Sequence, residues 1–496
     1  MIAIYRIMCY GSNRMKDGNA PKIRRRTGMN PLKRLFWPEY MVKKHHVQGG
    51  LPSAREAYGT CLKMAWPSAL ESVLVALVSS VDTMMVGQLG PAAISAVGIT
   101  TQPKFILLAV IITLNVGVTA IVARRKGEGD LKGANRCLKQ ALVISLTLSA
   151  VMTAVGLIFT EPLLRIAGAG DDFIVDAVAY FRIILTTNVF NCCAMTMNAA
   201  QRGFGNTRVS MVTNVSANLV NVALNYLLIN GIWIFPRLGV RGAAVATACS
   251  SVVMFSIALI SVTRHTSTRL SIIMDRSWKF DRRTVGGITK VGSSALVEQL
   301  FMRVGFFVFA LLVAKLGTIQ FATHQICMNL INMSFAFGDG LGVASTSLVG
   351  QGLGMKRPDL SIIYGKTGQR CALIMGVVLA AMFVIFRRDL ILLFNNDPDV
   401  VALGSQIVYI IAITSLAQTS QVVISGCLRG AGDSKFVAVS SFICVGVIRT
   451  VFSWFLCYPC GLGLVGLWLG LFSDQFMRLV LNFIRFRSAK WTKIEL

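Results

Sequence analysis

Twelve long apolar runs, joined by short polar loops, restrict this chain more than any other feature of its sequence. A helix of about 20 apolar residues crosses the hydrocarbon of a bilayer and satisfies its own backbone there without water. The first six runs lie near residues 61–87, 92–123, 140–159, 173–200, 209–232 and 239–262. The second six lie near 291–314, 321–349, 371–386, 400–427, 436–458 and 463–486. The expected organisation is a basic N-terminal tail over 1–58, a six-helix bundle over 59–263 and a cytoplasmic linker over 264–290. A second six-helix bundle over 291–486 and a C-terminal tail over 487–496 complete it.

Composition argues the same way. Of 496 residues 54% are hydrophobic and 14% charged, where a soluble protein has about 25% charged. The net charge of +27 raises the question of nucleic acid. The Lys and Arg, however, lie between apolar runs with no nucleic-acid-binding motif beside them, so they read as a topology signal. Twelve Cys are scattered, mostly inside the apolar runs, and form no disulfide framework. Cys457 and Cys460, in CYPC, are either a disulfide or two free thiols. Residues 1–58 contain no signal-peptide core. With IRRR at 23–26 and MVKKHH at 41–46, they are expected to be disordered or to lie on the membrane surface, and Met29 and Met41 are further candidate starts.

The basic residues set the orientation. Six lie between 124 and 139, seven between 264 and 290, and others at Lys356, Arg357, Lys366 and Arg370 and at Arg485, Arg487, Lys490 and Lys493. The opposite loops hold only Arg165, Arg237, Arg241, Lys315, Arg387 and Arg388. Both termini are therefore expected in the cytoplasm of a plasma-membrane protein, which requires an even number of spans.

The two halves repeat. QRGFGNTR at 201–208 answers LRGAGDSK at 428–435, and Arg429 minus Arg202 gives an offset of 227. GQLG at 87–90 answers AKLG at 314–317, again at 227. GEG at 127–129 answers GLG at 352–354 at 225, and LGVRG at 238–242 answers LGLVG at 462–466 at 224. Each repeat holds six spans, so both enter with the same orientation. The expected fold class is an all-α membrane protein, two parallel six-helix repeats related by a pseudo-two-fold along the membrane normal. That is a plan of secondary transporters, with the substrate route between the bundles.

Charges inside the spans carry the functional argument. A charge at the bilayer centre costs about 2.5–3.5 kcal/mol even on the mild insertion scale. Asp82 in the first span is therefore expected to face protein, water or an ion. Glu71 lies eleven residues earlier, on the same helix face and about 16 Å away along the axis. Ser68 and Ser79 continue that stripe, and for the serines helix packing is the plainer reading. Asn221 and Asn225 are one turn apart on the fifth span, and Thr247 is about two turns into the sixth. All four, Asp82 included, belong to the outer half of the first bundle. One carboxylate with amide and hydroxyl oxygens suits Na+ or a proton. A buried hydrogen-bond cluster holding three helices together is the alternative. In the second bundle Asp474 and Arg478 form an i,i+4 pair. Arg303 and Arg449 either neutralise acids or meet an anionic cargo. Glu298 and Asp339 are left without an assigned role, and His324 reads as a packed or interfacial residue.

The chain resembles the multidrug and toxic compound extrusion (MATE) transporters from about Cys61 to its C-terminus. The likeness rests on VDTMMVGQLG at 81–90, RGFGNTR at 202–208, NVALN at 221–225, GVRGAAVAT at 239–247, LVGQGLG at 348–354 and LRGAGDSK at 428–435. The resemblance implies a V-shaped pair of six-helix bundles that expels organic cations, drugs or another small metabolite in exchange for Na+ or H+. It implies ion coupling at Asp82, Asn221, Asn225 and Thr247, with Asn225 standing where members usually carry an acid. It also implies that Gln418, at the place of a helix-10 acid in other members, supplies no second cation site. Glu71, Glu298, Arg303 and Gln418 are further candidate substrate or polar positions. The remaining expectations are a monomer, the bilayer and small molecules as the only partners, and no cofactor beyond the coupling ion. A flippase for a lipid-linked or amphiphilic substrate is the alternative. A membrane-embedded lipid-modifying enzyme is a third reading, and no His-rich, paired-carboxylate or P-loop motif supports it.

Overall fold

The computed structural model describes residues 36–43, 47–171, 173–232, 235–263, 270–273 and 281–494. Twelve of its helices are long and apolar enough to cross a membrane. They are α1 Ala54–Gly87, α2 Pro91–Gly127, α3 Leu131–Ile158, α4 Ile174–Gly203, α5 Thr207–Asn230 and α6 Gly239–Thr263. The others are α7 Arg282–Ala314, α8 Thr318–Gly354, α9 Pro358–Ile385, α10 Pro398–Gly430, α11 Ser434–Cys457 and α12 Gly463–Arg487.

Several helices start before their apolar runs. α3 begins at Leu131, α7 at Arg282 and α9 at Pro358, against expected starts at 140, 291 and 371. Hydropathy reads only the length in hydrocarbon, whereas a helix continues into water as long as its backbone is capped. Asp130 provides such a cap, accepting from the Gly133 amide at 2.8 Å. At α1, Ser53 and Glu56 bond each other's backbone amides at 3.0 and 3.3 Å, a reciprocal cap.

The helices form two compact units. One comprises Leu70–Val122 and Asp130–Gln299; the other comprises Met1–Ala69, Ala123–Gly129 and Leu300–Leu496. α1 passes from one unit to the other at Ala69–Leu70, and α7 does so at Gln299–Leu300. The first unit, built on α2–α6, has a core of Val118, Val122, Leu138, Met197, Ala258 and Ile288 at one end and of Ala96, Leu164, Phe181, Leu185 and Ile229 at the other. The second, built on α8–α12, is filled by Leu348, Val349, Val423, Leu428 and Trp491 at one end and by Phe309, Phe383, Ile407, Leu467 and Trp468 at the other.

The repeat seen in the sequence has a geometric content inside each unit. Gly205 and Gly432 stand 227 residues apart and both adopt positive φ, 81° and 90°, closing the turns after α4 and α10. A side chain there meets its own carbonyl, so glycine is favoured. Two residues earlier, Gly203 and Gly430 let helices touch: a Cβ would fall 2.5 Å from Thr119 O in one unit and 2.2 Å from Thr346 O in the other. Thr119 and Thr346 complete each contact with a hydroxyl bonded to Ala199 O at 3.1 Å and to Gly426 O at 2.9 Å. All these pairs share the offset of 227. The glycines matched at 225 are corrected by the structure. Gly127 packs on Gln351 O and Gly354 on Arg124 O, so Gly127 answers Gly354, again at 227, and Lys356 (φ 55°) takes the place of Gly129 (φ 75°).

Part of the N-terminal tail is packed rather than disordered. Met41 and Val42 are buried against Ala57 and Ile363. The Lys366 ammonium donates to Met41 O at 2.6 Å, the Gln48 amide donates to Asp359 at 3.2 Å, and Arg357 donates to Gly50 O at 3.0 Å. Periodicity does not find such a strap, because four residues of helix at Pro38–Met41 leave no repeat to detect. The IRRR run and residues 44–46 lie outside the described residues. At the other end, Trp491 is buried, stacks on Phe486 with centroids 5.1 Å apart, and Arg124 donates to Ile494 O at 2.7 Å. Cys457 and Cys460 are free thiols.

Candidate functional site

Within the α2–α6 unit, α1, α5 and α6 bring four of the expected residues together. Asn225 Nδ2 donates to Asp82 Oδ1 at 2.7 Å and to Asn221 Oδ1 at 3.2 Å. Asn221 Nδ2 donates to Thr247 Oγ1 at 3.4 Å. Asn221 and Asn225 are 4% and 1% exposed, while Asp82 is half-buried. In this arrangement the Asn221 amide oxygen faces the carboxylate. Turned over, its nitrogen reaches both carboxylate oxygens at 2.9 and 3.0 Å, and its oxygen accepts from the Thr247 amide at 3.3 Å. Only the turned orientation gives the amide complementary partners, with its N–H groups toward Asp82 and its oxygen toward a donor. Asn225 Oδ1 is buried and has no hydrogen-bond partner among the described residues. The set combines a carboxylate, two amides and a hydroxyl, whose oxygens are of the kinds that can ligate a small cation or carry a proton.

Two residues at this site escaped the sequence reading. Lys104 on α2 lies close enough for its charge to act on Asp82, and the Tyr180 hydroxyl on α4 lies beside Thr247. Lys104 was detectable, being a charge inside an apolar run. Tyr180 was not, since only the packing of α4 against α6 places it.

Glu71 builds a second cluster in the same unit. Its Oε1 accepts from Asn214 Nδ2 at 2.9 Å and Ser210 Oγ at 3.2 Å, and Arg202 Nη1 stands 3.4 Å away. Arg202 also donates to Ser210 at 2.9 Å. The acid is therefore held by α4 and α5 rather than open to lipid. Ser68 is buried, and the side chain of Ser79 lies outside the described residues.

The other expected positions do not gather into one site. Glu298 is 4% exposed at the middle of α7, and Arg303 is exposed further along it. Gln418 is buried on α10, its Oε1 without a partner among the described residues. Arg449, at the end of a π-helical stretch Phe442–Arg449 in α11, is fully buried. Its Nε donates to Asp474 at 3.0 Å, its Nη2 also bonds Asp474, and its guanidinium lies 4.3 Å over the Phe306 ring. Arg478 Nε lies 3.0 Å from the same acid. Arg449 is thus an acid's counter-ion in a packed core and not a residue open to cargo. His324 is boxed by Phe309, Trp468 and Phe321 at 5.4, 5.7 and 6.4 Å and is a packed residue.

Comparison with known proteins agrees with this architecture. The MatE family profile matches residues 67–227 and again 295–455, once in each repeat. The chain is 27% identical over 435 residues to the Thermotoga maritima protein named "Probable multidrug resistance protein NorM", covering 87% of this chain and 92% of that one. It is 28% identical over 427 residues to "Multidrug resistance protein PmpM" of Pseudomonas aeruginosa, covering 83% and 87%. Its fold matches, with a TM-score of 0.82 and 21% identity, the outward-facing conformation of a multidrug resistance MATE family transporter of the MOP superfamily, over 87% of this chain and 95% of that one.

Proposed function

The chain belongs to the MATE family of membrane transporters, and we propose that it is a secondary antiporter that exports organic cations, drugs or another small metabolite in exchange for Na+ or H+. The family is one of transporters, which sets the lipid-modifying enzyme aside. The observation that carries the proposal is the convergence of Asp82, Asn221, Asn225 and Thr247. The names of these two relatives, multidrug resistance proteins both, support the cargo class.

The chemistry follows from the donors and oxygens around Asp82. With a cation present, Asp82, the Asn221 oxygen, the free Asn225 oxygen and the Thr247 hydroxyl are its ligands. With the cation gone, the Asn225 and Asn221 N–H groups face the carboxylate. Each charge-assisted hydrogen bond is worth about 1.5–3 kcal/mol, enough to hold the empty site closed around Asp82. A cation shifts the transport cycle only by the difference of its affinities for the two conformations. We place both termini in the cytoplasm from the loop charges, and the protein in the plasma membrane.

Ethidium accumulation in cells with and without the protein tests the proposal. Wild type lowers accumulation and Asp82→Asn does not. Equal accumulation in cells with and without the wild-type protein, across a panel of cationic dyes, contradicts the cargo class.

A further inference from the structure

Four of the five asparagines of α5, Asn214, Asn218, Asn221 and Asn225, are spaced by four, three and four residues. At about 100° per residue they fall within an arc of about 60°, so one face of the helix is lined with amides. Val212 and Leu219 on the opposite face are exposed, 49% and 65%. The amide face looks toward α1, because both its ends are bonded there. Asn214 donates to Glu71 at 2.9 Å and Asn225 to Asp82 at 2.7 Å. The seam between α1 and α5 therefore has a carboxylate at each end, about 16 Å apart, and amides between.

We propose that this amide ladder is the route by which the small cation leaves Asp82 toward the other side of the membrane. It rests on the reading of Asp82 as the ion site. Successive amides are about 4.5–6 Å apart along the axis, a gap that one water bridges. A proton or Na+ steps with water from Asp82 past Asn221, Asn218 and Asn214 to Glu71. Arg202 closes the far end. Its Nη1 lies 3.4 Å from Glu71 and 2.9 Å from Ser210, so an arriving cation must displace a guanidinium. The charged and titratable groups at the two ends include Lys104 from α2 and Tyr180 from α4 near Asp82, and Arg202 from α4 at Glu71. Helix packing alone accounts for an amide at one rung, bonded once to a neighbour. It gives no reason for Asn218, half-buried, to be an amide in register with the other three.

The test uses the full chain in liposomes, with ethidium exchange driven first by a pH gradient and then by a sodium gradient. Asn218→Leu and Asn218→Ala remove the central rung and touch neither acid; Asn218→Gln keeps an amide. The ladder predicts that both apolar variants slow exchange by about tenfold, under whichever gradient drives wild type, since one polar step is gone from a low-dielectric path. Their thermal unfolding and half-saturating outer ion concentration stay at wild-type values, and Asn218→Gln recovers the rate. Should Asn218→Leu not fold, Asn218→Ala alone decides. Wild-type rates in the folded apolar variants, with Asp82→Asn inactive beside them, overturn the ladder and leave the ion site standing. Wild-type exchange in Asp82→Asn overturns both.

Discussion

At the residue scale one carboxylate and the donors around it form the candidate ion site. Asn225 Nδ2 sits 2.7 Å from Asp82, and its side-chain oxygen has no hydrogen-bond partner among the described residues. Asn225→Asp adds a second negative charge at that distance, which favours a bound cation. The ion concentration for half-maximal efflux should fall about tenfold, equivalent to about 1.4 kcal/mol, and the ion dependence of dye efflux measures it. The Arg449–Asp474–Arg478 core makes a stability prediction instead. Asp474→Leu leaves two buried arginines without their acid and should cost about 3–5 kcal/mol, read as a drop in thermal unfolding temperature and folded yield. Asp82, Asn221, Asn225 and Thr247 were legible as a group because helical phase places them at one depth. The partners of Glu71 were not. Periodicity says which face of a helix a residue occupies, and only the packing of α4 and α5 decides that Arg202, Ser210 and Asn214 meet it there.

At the scale of the elements, small residues decide how closely helices approach. Gly203 and Gly430 occupy equivalent places in the two units, and a Cβ at either one meets a threonine carbonyl oxygen well inside van der Waals distance. Gly203→Val and Gly430→Val must push α4 from α2 and α10 from α8. Each is expected to destabilise by at least about 1–3 kcal/mol, seen as lower thermal stability in detergent, whereas valine at the exposed Gly50 changes little. The sequence repeat pointed to these glycines at the right offset, and the structure supplies its cause, a turn with positive φ followed back to a close contact. Helix ends were read less well. The starts of α3, α7 and α9 run nine to thirteen residues beyond the apolar runs, where charged side chains hide a helix from a hydropathy reading.

At the scale of the whole molecule, twelve spans and two repeats were present in the sequence as a pattern of apolar lengths and matched motifs. The membership of the two compact units was not, because α1 and α7 each divide between them partway along a continuous helix. The loop charges predict that tags at either end are reached by reagents from the cytoplasmic side only, a labelling experiment on intact and permeabilised cells. The central claim is that Asp82 exchanges a small cation for a larger cargo. Antiport binds the two fluxes together, so an imposed cargo gradient must drive the ion the other way. In liposomes holding the protein, with a pH-sensitive or sodium-sensitive dye sealed inside, an ethidium gradient is predicted to drive an opposite proton or sodium flux with wild type and none with Asp82→Asn. An ethidium-driven ion flux of the same size in the variant, or no ion flux in wild type while ethidium crosses, contradicts the account.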